Sequence, residues 1–172
     1  MFYVIHHIVV KTTLFLVSGL VELRGGTGRL AQIGGFAKLE PFLAVLFLVP
    51  ALSLAGIPPF SGFVAKLALV EAGLDAEEYA VVAVSLLVSL LTLFSMTKIW
   101  TNAFWGSPLV ATGDDDLRVN SGGHALMTAA TAALVALSIA IAVAAGPLYR
   151  LSERAAADVI DPSAYIESVL GS

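Results

Sequence analysis

Apolar residues run through this chain in long blocks, and the polar positions among them recur at spacings that belong to helices. The first block covers residues 2–21, enough to cross a hydrocarbon layer about 30 Å thick. It carries His7, Lys11, Ser18 and Glu22, whose offsets from His7 of 4, 11 and 15 put them on one helical face. Lys11 lies one turn from His7 and near mid-span, where a charge is expensive. A plainer reading of His6 and His7 keeps both at a membrane surface. Residues 23–40 form a polar connection punctuated by Gly25, Gly26, Gly28, Gly34 and Gly35. With Arg24, Arg29 and Lys38 it is the most basic loop, which the positive-inside tendency assigns to the cytoplasm.

Two apolar stretches follow, 41–55 and 59–73, each shorter than the roughly 20 residues of a full crossing. Between and within them runs SLAGIPPFSGFVAKLALVEA, residues 53–72. Pro58 and Pro59 lack amide donors, and Pro59 pushes Pro58 away from helical angles. Gly56 and Gly62 flank them and relax the steric limits. The pattern predicts one membrane helix broken in the middle. Unpaired carbonyls at such a break are tolerated only where protein or a water-filled cavity supplies partners. Lys66 follows on the second half among Phe63, Val64, Leu67 and Leu69. A lone lysine beside an unwound segment reads as an ion pathway; the plainer alternative is a loop between two helices with Lys66 snorkelling to an interface. Lysine and arginine counts do not choose between four and five crossings, and segment length favours four.

Further on, Asp75, Glu77 and Glu78 make an acidic turn. A helix is expected from about Ala76, with Asp75 as a candidate cap and a span over residues 78–104. Ser85, Ser89, Thr92 and Met96 share one of its faces, a stripe suited to neighbouring helices rather than lipid. Trp100, Phe104 and Trp105 read as an interfacial belt, with Lys98 reaching a headgroup or the bundle interior. The run Asp114, Asp115, Asp116 lacks the alternating ligands of a calcium loop and reads as a solvated charge cluster. The last span, 123–145, is rich in alanine and sets Thr128, Thr131 and Ser138 on one face for close packing. In the tail, 147–172, Leu148, Leu151, Ala155 and Val159 lie opposite Arg150, Glu153, Arg154 and Asp158, the pattern of an amphipathic surface helix. Asp161 and Pro162 end it and suit the start of another short helix.

Composition supports a membrane protein. The 172 residues are 58% hydrophobic and 13% charged, where soluble domains carry about 25% charged residues, and the mean hydropathy is +0.92. No cysteine is present, which removes disulfides and Cys-ligated metals. A net charge of -4 leaves no basic footprint for nucleic acid. No basic stretch precedes the first apolar run, so it does not read as a signal peptide. The chain enters apolar sequence at Phe2 as if part-way through a larger membrane protein.

The stretches HHIVVKTTLFLVSGLVE, IGGF, SLAGIPPFSGFVAKLALV and FSMTKIWTNAFWG resemble the carboxy-terminal portion of the D-type subunits of Mrp Na+/H+ antiporters, a family related to the antiporter-like proton-pumping subunits of respiratory complex I. The likeness is strong over about residues 1–106. The pattern GIPPxSGFxxK with the ending FxMxKIWxxAFWG is the specific part, and the second favours the Mrp D family. The resemblance implies an all-α, polytopic bundle of fourteen helices built from inverted repeats. This chain would hold the last four crossings, one of them discontinuous, and ten further helices would precede it. It also implies that Lys66 occupies the family's key ionisable position, that Lys11 and His7 lie on its hydrophilic axis, and that the tail ties neighbouring subunits together.

Three functional readings follow. The first is a proton-translocating fragment of a multi-subunit monovalent cation/proton antiporter, exchanging Na+ for protons. Lys66 would carry the proton, Lys11 and His7 would extend the relay, and the break at Gly56, Pro58, Pro59 and Gly62 would admit water. No catalytic residue, cofactor or metal is expected, and the chain is not read as an enzyme. Its partners would be protons, other subunits and the lipid of a bacterial plasma membrane, crossed several times. The second reading is a proton-pumping subunit of an NADH:quinone oxidoreductase or membrane-bound hydrogenase, powered by redox partners. The third is a structural element that docks into a larger complex and moves no ions.

Overall fold

A computed structural model of the chain describes residues 2–106, 121–161, 163, 166 and 169, without the side chains of residues 31 and 121–124. Asp114, Asp115, Asp116 and Pro162 lie outside the described residues. The described chain is all-helical: α1 Phe2–Gly25, α2 Phe36–Leu39, α3 Pro41–Ala55, α4 Ser61–Asp75, α5 Tyr79–Ile99, α6 Ser121–Val143 and α7 Ala145–Ile160. A 3-10 turn spans Leu30–Gln32, and a wider π-turn, Trp100–Trp105, continues α5. By length and composition three described helices can cross a membrane: Phe2–Gly25, Tyr79–Trp105 and Ala125–Val143.

α1 is the central helix and packs against α3, α4 and α6. Its buried face is His6, Val10, Thr13, Val17, Leu20 and Val21, a helical stripe one step from the polar row His7, Lys11, Ser18, Glu22. Small residues allow the close approach to α6: a Cβ on Gly19 would come within 2.6 Å of the Met127 methyl, and Thr131 and Ser138 of α6 are buried. At the other end of α1, Phe36, Leu43, Leu46, Phe47, Ala103 and Phe104 close the main apolar core. The connection before α3 is folded rather than loose. Gly26 and Gly35 take left-handed backbone angles, and Arg24 forms an ion pair with Glu40 that ties the end of α1 to the start of α3.

Several expectations need correction. Asp75 does not cap α5; it is the last residue of α4, and the turn that follows, with Glu77 at φ 58°, brings Glu78 to the helix start without a side-chain cap. Phe104 is not part of an interfacial belt. The π-turn rotates it into the core, where it stacks on Trp100 at 4.8 Å between centroids and meets Phe47 at 4.9 Å. Of the three rings, Trp105 alone stands well exposed. α7 starts two residues earlier than the expected tail, at Ala145, because Pro147 falls in its first turn, where a missing amide proton costs nothing. Asp161 accepts a hydrogen bond from the Ser163 amide at 3.2 Å, the geometry of a cap for a following turn.

The break between α3 and α4 holds a very close backbone crossing. A Cβ on Gly62 would overlap the Ser53 carbonyl oxygen, so even one methyl group forces backbone apart. Gly62→Ala is expected to lower stability by about 1–3 kcal/mol, read as a fall in the thermal midpoint of the detergent-extracted protein. Gly146→Ala, in α7 where nothing lies within 4 Å of the added carbon, should instead be neutral or raise it by up to ~1 kcal/mol.

Candidate functional site

The break follows from the donors that proline removes. In an uninterrupted helix the amide of residue i bonds to the carbonyl of i−4, so positions 58 and 59 would serve the carbonyls of Leu54 and Ala55. Both positions are proline. α3 therefore stops in a glycine-capped turn. Gly56 sits at φ 82° and donates to the Leu52 and Ser53 carbonyls, and the Ile57 amide donates to Leu52. The Pro58–Pro59 peptide is cis. The freed Ala55 carbonyl is then taken by a side chain: Lys66 Nζ donates to it at 2.8 Å.

Lys66 reaches that carbonyl because Gly56 is bare. A Cβ there would meet Lys66 Cδ at 2.6 Å. The carbonyl also lies at the C-terminal end of α3, where the helix dipole favours positive charge. Lys66 is half-buried, and it lines a cavity of about 640 Å³ between α1, α4 and α5. Tyr3, His7 and Lys11 of α1 line the same cavity, at i, i+4 and i+8 along one face. The Tyr3 ring stacks on that of His7 at 5.2 Å. α5 contributes Ser85, Ser89 and Thr92 to the opposite wall. The Ser89 and Thr92 hydroxyls donate back to the Ser85 and Val88 carbonyls at 2.9 and 2.8 Å, so their lone pairs are what they offer the cavity. The rest of the polar row, Ser18 and Glu22, lines a second cavity of about 270 Å³ further along the gap between α1 and α5.

Lys66, Lys11 and His7 thus share one cavity, and Gly56, Pro58, Pro59 and Gly62 frame the break beside it. Sequence reasoning passed over Tyr3, and it missed the other side of the break. There His6, 2% exposed, bonds through Nδ1 to the Ser61 hydroxyl at 2.9 Å. Ser61 bonds to the Ser53 hydroxyl at 3.2 Å, and Ser53 accepts from the Gly62 amide at 3.4 Å. Both serines are fully buried. A signal was available, because small hydroxyl residues on each side of a proline break are suited to partner the freed backbone. Among the described residues no cluster of His, Asp or Glu is placed to hold a metal ion.

The family profile described as NADH:quinone oxidoreductase/Mrp antiporter, TM, matches residues 1–92. The D subunit of the Na(+)/H(+) antiporter of Alkalihalophilus pseudofirmus is 44% identical over 98% of this chain and 33% of its own length. The equivalent protein of Bacillus subtilis is 34% identical over the same shares. A solved structure of the Mrp complex from Dietzia sp. superposes with a TM-score of 0.83 at 40% identity, covering 98% of this chain and 39% of the matched one. The chain spans about a third of the length of these curated relatives.

Ser61→Ala would leave the buried His6 ring nitrogen without its partner. It is expected to destabilise the protein by about 1–3 kcal/mol, measured by thermal unfolding in detergent.

Proposed function

Because this chain belongs to the NADH:quinone oxidoreductase/Mrp antiporter transmembrane family, we propose that it forms the proton-translocating part of a monovalent cation/proton antiporter subunit, with Lys66 as the proton carrier. The observation that carries the reading is Lys66 itself: one amine bonded to the open end of α3 and bordering a cavity that His7 and Lys11 share. An amine held by a single backbone carbonyl has one anchored position and one position free to face the cavity. Water in the cavity would pass protons between Lys66, His7 and Lys11. α3 and α4 together would make one crossing, since each has 15 residues and reaches only about 22 Å.

The other readings have less support. The similarity to sodium/proton antiporter subunits over 98% of the chain favours cation exchange over a redox-driven pump. A purely structural role leaves the polar lining of the cavity unexplained. Family membership and the three long apolar helices make the chain a multi-pass membrane protein. Its working partners would be the remaining helices of a longer subunit and the other subunits of an Mrp-type assembly in the cell membrane.

The test is antiport by the complete assembly in membrane vesicles. Lys66→Ala should reduce Na+-driven proton movement by roughly 100-fold, the lower end of what a positioned proton-transfer group contributes. Lys66→Arg should fail similarly, because arginine keeps the charge but does not release the proton. Unchanged antiport in both variants would overturn the assignment.

A further inference from the structure

α4 begins without a cap of its own. Phe60 occupies the cap position and offers no side-chain acceptor, although the first amides of a helix need partners. The acceptor for the Gly62 amide comes instead from α3, through the Ser53 hydroxyl. Ser53 is bonded to Ser61, and Ser61 to His6 of α1. His6 therefore stands at the outer end of a three-residue bridge that crosses from α1 through α4 to α3. All three residues are at least 98% buried, so water does not replace the bridge if it breaks.

The same break carries a second bridge, from Lys66 to the Ala55 carbonyl. Ser53 is two residues before Ala55, and Ser61 is five before Lys66. Any shift of Ser53 relative to Ser61 also shifts the carbonyl relative to the amine. His6 and His7 are consecutive, about 100° apart around α1, so one turn of α1 touches the sealed side of the break and the cavity side together. Should the proton on Lys66 be exchanged and its bond to Ala55 released, the bridge through His6 still holds α3 to α4.

We infer that His6 is a positioning residue: through Ser61 and Ser53 it fixes the start of α4 against α3 and so sets where Lys66 meets the Ala55 carbonyl. It touches no ion and transfers no proton. The assignment rests on the proposed role of Lys66 for its functional consequence, but not for its structural one, and the two can be read separately.

The experiment uses the complete assembly. For the structural consequence, Lys66→Cys is made in an assembly otherwise cleared of cysteine, since the 172 residues here have none, and its alkylation by N-ethylmaleimide reports access to that position. Adding His6→Ala, or Ser61→Ala, should change the alkylation rate about tenfold, near the worth of one buried hydrogen bond. Adding His6→Asn, whose amide can take the place of Nδ1, should bring the rate back to within about twofold. For the functional consequence, antiport with Lys66 intact should fall by about tenfold in His6→Ala and be restored in His6→Asn with the pH profile of the parent. Loss of antiport or a displaced pH profile in His6→Asn would show a titrating relay and overturn the inference. An alkylation rate that neither His6→Ala nor Ser61→Ala changes would also overturn it. Should His6→Ala fail to assemble, Ser61→Ala and His6→Asn still decide. Antiport that survives Lys66→Ala would sink the proposed function and leave the alkylation result standing.

Discussion

Pro58 and Pro59 withdraw two amide protons from a helix whose surroundings are apolar, and the carbonyls of Leu54 and Ala55 lose the donors that positions 58 and 59 would have supplied. Buried backbone that loses its donors needs other partners, and here side chains supply them. One side chain takes the Ala55 carbonyl, and a separate set serves the Gly62 amide at the start of α4. Lys66 bonds to Ala55 from the cavity side, and Ser53, Ser61 and His6 seal the protein side. The glycines follow from the same demand. Gly56 turns the chain at φ 82° and clears space for the lysine, and Gly62 lets α4 lie directly on the Ser53 carbonyl. The amine at this position is thus a structural group, bonded into the break that it borders.

Much of this was legible in residue types. Proline and glycine mark the interruption, and α3 occupies residues 41–55 as hydropathy indicated. Lysine in an apolar run drew attention to the break, and the polar spacing on α1 put His7 and Lys11 on one face, where both line the cavity with Lys66. The stripe of Ser85, Ser89 and Thr92 also faces inward, as its period implied. What remained hidden depended on tertiary contact. Period alone cannot tell whether His6 or His7 enters the core, because the two differ by one step around a helix. Ser53 and Ser61 gain meaning only when α3 and α4 touch. Phe104 reads as interfacial until the π-turn adds a residue to the helical repeat and swings the ring inward.

α1 divides two kinds of work between adjacent faces. The face with His6, Val10, Thr13 and Val17 is fully packed, and it holds α3, α4 and α6 in place. The neighbouring face, with Tyr3, His7 and Lys11, borders open volume. Rigid packing on one side allows polar groups to stand along the other at fixed intervals, about 5.4 Å per turn. The packed helix therefore acts as a ruler for the cavity row and fixes the spacing of its polar groups.

The order in which the two 15-residue helices beside the break, α3 and α4, are made has a consequence. As the nascent chain emerges, α3 alone is too short to settle across the lipid, and its far end exposes carbonyls that nothing yet satisfies. The residues that complete it, Ser61 and Lys66, are still to be synthesised. α1 and its Arg24–Glu40 ion pair to the start of α3 precede them in the chain. α3 and α4 must then settle together, because the Ala55 carbonyl and the Gly62 amide each find their partner on the other helix.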